Sequence, residues 1–185
     1  MELNITFFAN LCSALACIIM VAIGFLKKKD QIVIGQCFQL AFLGAGNFLF
    51  GAISGAIGNF LGVIRNLILP KSKKPLVWKI VFIVIQIILS VAFFNSTING
   101  YTGDNVNALK IIYWIPVFYT ITLTCVLDTK NVNVFRVAIM IAQAIFCFFD
   151  GFYGNWFAFL ANILTVLSNG YSIFADARAA KKAKA

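Results

Sequence analysis

Long apolar stretches alternate with short polar links along this chain, and the lengths of those stretches carry the fold. A bilayer core is about 30 Å thick, so a spanning helix needs roughly 20 residues. Ile5 to Leu26 supplies one span, stopped by Lys27, Lys28 and Lys29. Gln31 to Pro70 is about twice as long, about 60 Å of helix, which makes two crossings. Basic residues flank both of its ends, so it reads as a hairpin, with the turn expected near Gly51–Gly55. Pro75 to Phe94 makes a fourth span and Lys110 to Leu127 a fifth. Val137 to Ala175 again has double length and reads as a second hairpin, turning near Asp150–Gly154.

Composition agrees. Of 185 residues, 62% are hydrophobic and 11% charged, against roughly 45–50% and about 25% in soluble domains. The chain is an integral membrane protein of seven helices, which excludes a soluble enzyme, a nucleic-acid binder and a disordered chain. The net charge of +9 does not point to nucleic acid, because the lysines and arginines sit in runs between apolar stretches. With the amino terminus outside, the links after spans one, three and five and the carboxyl-terminal tail hold nearly all of them, as the positive-inside rule requires. Lys110 is the exception. The tail, 177–185, is then cytoplasmic.

Histidine is absent, so a Ser-His-Asp triad and His-ligated metal are excluded. Acids number six, too few and too scattered for a paired-carboxylate site. The five cysteines all lie in apolar segments without a CxxC pair, and read as small apolar side chains. No enzyme and no cofactor are expected.

The chain also resembles itself. At an offset of 103 residues, Gly51, Asn59, Leu61, Val63 and Asn66 meet Gly154, Asn162, Leu164, Val166 and Asn169. Asparagine is uncommon in a span, so its paired recurrence is informative. The expected architecture is all-α, with two parallel three-helix repeats (1–74 and 109–176) joined by a linker helix and outer loop (75–108). Three helices plus one leave both repeats in the same membrane orientation, an arrangement used by transporters.

The pattern Asn59, Gly62, Arg65, Asn66 before a basic loop, with Ile115 to Cys125 on the fifth span, resembles the bacterial inner-membrane family typified by YgjV. That resemblance implies a multi-pass protein of the bacterial inner membrane. It is also distantly similar to the SWEET and PQ-loop facilitators and to PnuC vitamin transporters. The SWEET likeness rests on the three-one-three plan and on Tyr153-Gly154 followed by Asn162, with Phe50-Gly51 followed by Asn59 as its counterpart. In SWEETs the corresponding asparagine pair faces the sugar. Where SWEETs carry a tryptophan before that motif, Asn47 and Asp150 stand here. Of the SWEET prolines only Pro116 remains, its repeat mate being Ser13. These departures argue against sugar as the substrate.

Asn59, Gly62 and Asn66 share one helix face, as do Asn162, Thr165 and Asn169. They read as polar stripes lining a central cavity for a small polar solute, or as interhelical hydrogen-bond contacts. The substrate-facing set is Asn59, Asn162, Asn66, Asn169, Asn47 and Asp150. Asp150 reads alternatively as a solvated turn carboxylate or as a proton-coupling or cation-binding group. Arg65 reads as snorkelling to the headgroups or as a gate or anion contact, with Asp128 as its acid. Trp156 reads as an interfacial anchor or as a stacking platform. Two functions follow: a small transporter working by alternating access, of which a PnuC-like vitamin or nucleoside facilitator is one form, or a non-transporting scaffold subunit. The expected partners are the solute and the lipid bilayer, and a homo-oligomer is compatible with either function.

Overall fold

A computed structural model describes residues 2–101 and 103–182. Among the described residues there is no strand, and seven helical segments are long and apolar enough to cross a membrane. The helices are α1 (Glu2–Gly24), α2 (Lys29–Leu49), α3 (Ile53–Ile68), α4 (Pro75–Asn99), α5 (Val106–Ile112), α6 (Ile115–Val126), α7 (Val132–Phe152) and α8 (Trp156–Lys182). A 3-10 turn, Leu69–Lys71, lengthens α3. Helices α5 and α6 together make the fifth crossing, Val106–Val126. Their helical run breaks at Tyr113–Trp114, where Pro116 has no N–H to return to the carbonyl one turn back.

Local chemistry sets the boundaries. Asn131 caps α7, its side-chain oxygen accepting from the backbone N–H of Asn133 at 2.9 Å and Val134 at 3.3 Å. The first hairpin turns at Phe50–Ala52, where Gly51 adopts φ +73°. Gly55, expected in that turn, lies inside α3. The second hairpin turns at Tyr153–Asn155, where Gly154 adopts φ +70°. Asp150, also expected in the turn, belongs to α7. The fourth span continues past Phe94 to Asn99, and the fifth starts at Val106 rather than Lys110. The basic tail continues α8 as far as Lys182, and 183–185 lie outside the described residues.

Packing joins the helices into a ring. Helix α1 packs on α2, α2 on α3, α3 on α6, α6 on α7, α7 on α8, and α8 returns to α1. Helix α4 stands against α3 and α6 and buries only Phe82, Gln86 and Ser90. The outward surface carries large apolar side chains such as Phe7, Ile18, Phe38, Ile88, Phe148 and Phe174. Inside, polar side chains such as Gln36, Gln39, Asn47, Asn59, Gln143 and Asn162 stand beside an apolar core that includes Leu123, Phe135, Ile139, Phe146 and Phe149. Lipid tails are as apolar as leucine, so polar groups gain most by turning inward, while the apolar ones inside pack the helices together.

Candidate functional site

The buried polar groups form two clusters at different depths. The first lies where both hairpins turn. The two turns share one hydrogen-bond pattern at the 103-residue offset. Ala52 N donates to Asn47 O at 2.8 Å and Asn155 N to Asp150 O at 2.9 Å. Ile53 N donates to Gly51 O at 2.9 Å and Trp156 N to Gly154 O at 3.0 Å. Each turn thereby fixes the residue that closes it, Asn47 on α2 and Asp150 on α7. Both are buried. Asn162 Nδ2, on α8, donates to Asp150 Oδ2 at 2.7 Å. Asn155 Nδ2 donates to Asn47 Oδ1 at 3.4 Å, tying the second turn to the first hairpin.

These contacts leave hydrogen-bonding capacity unused. Asn47 Nδ2, Asp150 Oδ1, Asn162 Oδ1 and Asn59 Nδ2 are buried and have no partner among the described residues. Gln39 Nε2, Thr120 Oγ1 and Thr165 Oγ1 are in the same state. Native proteins rarely leave such atoms unpaired, because each costs about 1–3 kcal/mol in desolvation.

The second cluster surrounds Arg65, which is 1% exposed. Its Nε and Nη2 both donate to Asn66 Oδ1, at 3.1 and 3.0 Å. Its Nη1 donates to Thr120 O at 3.2 Å and to Thr124 Oγ1 at 3.1 Å, on α6. Asn66 Nδ2 reaches Gln36 Oε1 at 3.4 Å. The snorkelling expectation for Arg65 is therefore corrected: the guanidinium turns inward. Asp128 is not its acid either, since that carboxylate pairs with Lys79 at 2.7 Å. Arg65 lies in the last turn of α3, and the extra turn Leu69–Lys71 prolongs the span beyond it.

The remaining expected residues separate. Asn169 is buried but donates to Thr165 O of its own helix at 2.9 Å, unlike its mate Asn66. Asn59 and Asn162 are both buried, on helices that stand across the ring from each other. Pro116 is buried at the seam between α3 and α6, where a Cβ on Gly58 would meet its ring at 3.5 Å. Trp156 is 65% exposed and packs edge-on against Phe159. It lies on the outer, apolar surface, apart from the buried polar groups.

The sequence reading missed Gln36, Gln39, Gln143, Tyr119, Thr120, Thr124 and Asn155. Their spacing carried a signal: Gln36, Gln39 and Asn47 lie on one face of α2, and Thr120 and Thr124 are one turn apart. It also missed Arg136, which is buried, pairs with Asp176 at 2.7 Å and donates to Leu26 O at 3.1 Å.

A cavity of about 460 Å³ opens at the basic end of the bundle, lined by Lys29, Asp30, Cys37, Asn66, Lys71 and Asp128 among others. Another of about 360 Å³ lies at the opposite end, beside Gly51, Ser96, Thr97, Tyr101 and Tyr153. The Arg65 cluster adjoins the first cavity through Asn66, and the hairpin turns adjoin the second through Gly51 and Tyr153.

A ring of membrane-spanning helices with an apolar exterior and a buried polar interior defines a multi-pass membrane protein. The family follows from sequence comparison: the chain belongs to Imp-YgjV, a bacterial inner membrane protein family, whose model matches residues 7–180. It is accordingly a multi-pass protein of the bacterial inner membrane. No curated protein and no solved structure matches it.

Proposed function

We propose that this protein is a small transporter that carries a polar solute by alternating access between two three-helix units. The observation that carries this reading is the set of buried, unpartnered polar atoms in a bundle that has a cavity at each end. A scaffold gains nothing from unsatisfied amides and a carboxylate in its core, whereas a transporter at rest between substrates does. The units are α1–α3 and α5–α8, with α4 as the linker. In support, α2 and α7 span the same positions at the 103-residue offset, and α3 and α8 begin at matching positions. The seams between units, α3 with α6 and α8 with α1, are the ones a two-fold axis along the membrane normal would relate. Rocking of one unit on the other would open each end in turn. Asn47, Asn59, Asp150 and Asn162 would contact the solute. The SWEET-like and PnuC-like similarities fit this plan, and neither enzymatic chemistry nor a cofactor is required.

The test is thermal melting of the purified protein against sugars, nucleosides and vitamins, with uptake into proteoliposomes for any hit. A ligand bound only by the folded state raises the melting point by mass action. In Asn59→Ala/Asn162→Ala the response should disappear, while stability falls by only about 1 kcal/mol, since amide contacts in lipid average about 0.6 kcal/mol each. No hit together with a large loss of stability would make the asparagines structural and put the scaffold reading first.

A further inference from the structure

Arg65 is a cation buried in the bundle with no carboxylate against it. All its acceptors are neutral: Asn66 Oδ1, Thr120 O and Thr124 Oγ1. Among the described residues the ion pairs are Lys79–Asp128 and Arg136–Asp176, and neither includes it. A guanidinium does not give up its proton in a protein, so the charge stays. Burying a charge is costly unless it is paired as well as hydrogen-bonded.

The geometry around Asn66 shows where a counter-charge would go. Nε and Nη2 form the edge of the guanidinium that receives carboxylates and phosphates in two parallel bonds. Here both donors converge on one amide oxygen, at 3.1 and 3.0 Å. Asn66 Oδ1 thus occupies the place of an oxyanion. Beyond Arg65, its hold on the protein is weak, because the 3.4 Å bond to Gln36 is longer than the usual 2.7–3.2 Å. Asn66 also lines the cavity at the basic end, together with Lys29 and Lys71. Of the two acids there, Asp128 is neutralised by Lys79. A swing of the Asn66 side chain would hand the Arg65 edge to a group entering from that cavity.

We infer that Arg65 and Asn66 form a gated site for an oxyanion, a carboxylate or phosphate group, reached from the basic-end cavity. The group belongs to a free solute or to a lipid headgroup. This inference does not depend on the transport reading; joined to it, it makes the solute an anion.

The decisive variant is Asn66→Asp, which places a carboxylate permanently on the guanidinium edge. The probes are inorganic phosphate and succinate at constant ionic strength, on protein stripped of lipid in neutral detergent, and separately phosphatidylglycerol added back. The wild type should melt higher as probe concentration rises. Asn66→Asp should melt higher than the wild type without any probe and no longer respond. Arg65→Gln should bind ~10-fold more weakly or worse; should it fail to fold, Asn66→Asp carries the test alone. A response to the free anions identifies a solute site, and a response to phosphatidylglycerol alone identifies a headgroup site. The inference is overturned if neither probe class stabilises the wild type, or if Asn66→Asp responds as the wild type does. A neutral solute whose binding depends on Asn59 and Asn162, without any oxyanion response, would remove this site and leave the transport reading standing. Oxyanion binding without uptake would do the reverse.

Discussion

Gly51 and Gly154 show what one residue can decide. Both sit in the left-handed region, at φ +73° and +70°, and a Cβ added at either would meet nothing within 4 Å. Substitution there costs only backbone strain, with no clash. Gly51→Ala and Gly154→Ala should each destabilise by about 1 kcal/mol, and asparagine at the same places by less, because asparagine tolerates that region. Thermal unfolding in detergent checks the order. The same two residues mark the hairpin turns themselves. The second turn is expected near Asp150–Gly154, and the chain reverses at the far end of that range, at Gly154, the residue 103 positions after Gly51. The paired glycines hold that information. Asp150 therefore lies not in a solvent-facing turn but in the buried end of α7. That position makes a carboxylate expected at the surface a member of the polar interior.

Helix α3 has close neighbours on several sides. A Cβ on Gly55 would lie 2.6 Å from the Phe149 ring of α7 and 2.7 Å from Asn47 Nδ2 of α2. A Cβ on Gly58 would lie 3.3 Å from Thr120 Oγ1 of α6. Gly55→Ala should therefore cost about 1–3 kcal/mol through overpacking, and it should displace Asn47 from Asn155. Gly58→Ala should cost clearly less. Unfolding measurements on the two variants, made side by side, test the ranking. The spacing of Gly51, Gly55, Gly58 and Gly62 in the sequence marks a close-packing face, but it does not tell which glycine touches what. Contacts between α3, α6 and α7 join positions far apart in the chain, and no local pattern encodes them. Arg65 illustrates the same limit. Its distance from the end of α3 allowed snorkelling. Its inward turn depends on Thr120 and Thr124 across the seam and on the 3-10 turn that lengthens the span.

At the scale of the whole molecule, the charges of the links and the two end cavities should report the same membrane sidedness. Lys27, Lys28, Lys29, Lys71, Lys73, Lys74, Lys130 and the α8 terminus share one end, and Lys110 is at the other. That asymmetry was fully legible, because span count and link charge are both one-dimensional properties. By the positive-inside rule the basic end is expected in the cytoplasm. Cys37 lines the cavity at that end, so in a variant with Cys12, Cys17, Cys125 and Cys147 replaced by alanine it becomes a sidedness probe. A charged, membrane-impermeant maleimide should label it in inverted vesicles and not in right-side-out ones. A cysteine at Ser96, beside the opposite cavity, should show the reverse. Exchange of the two patterns would invert the orientation, with both termini's sides swapped. Labelling of both positions from one side would contradict cavities at opposite ends. If the units rock, a transported solute should change the two labelling rates in opposite directions, because opening one end closes the other. A rigid scaffold would move neither rate or both alike. This pair of rates separates the two functions whether transport is uniport or ion-coupled, and Asn59→Ala/Asn162→Ala should abolish the solute effect while leaving the sidedness intact.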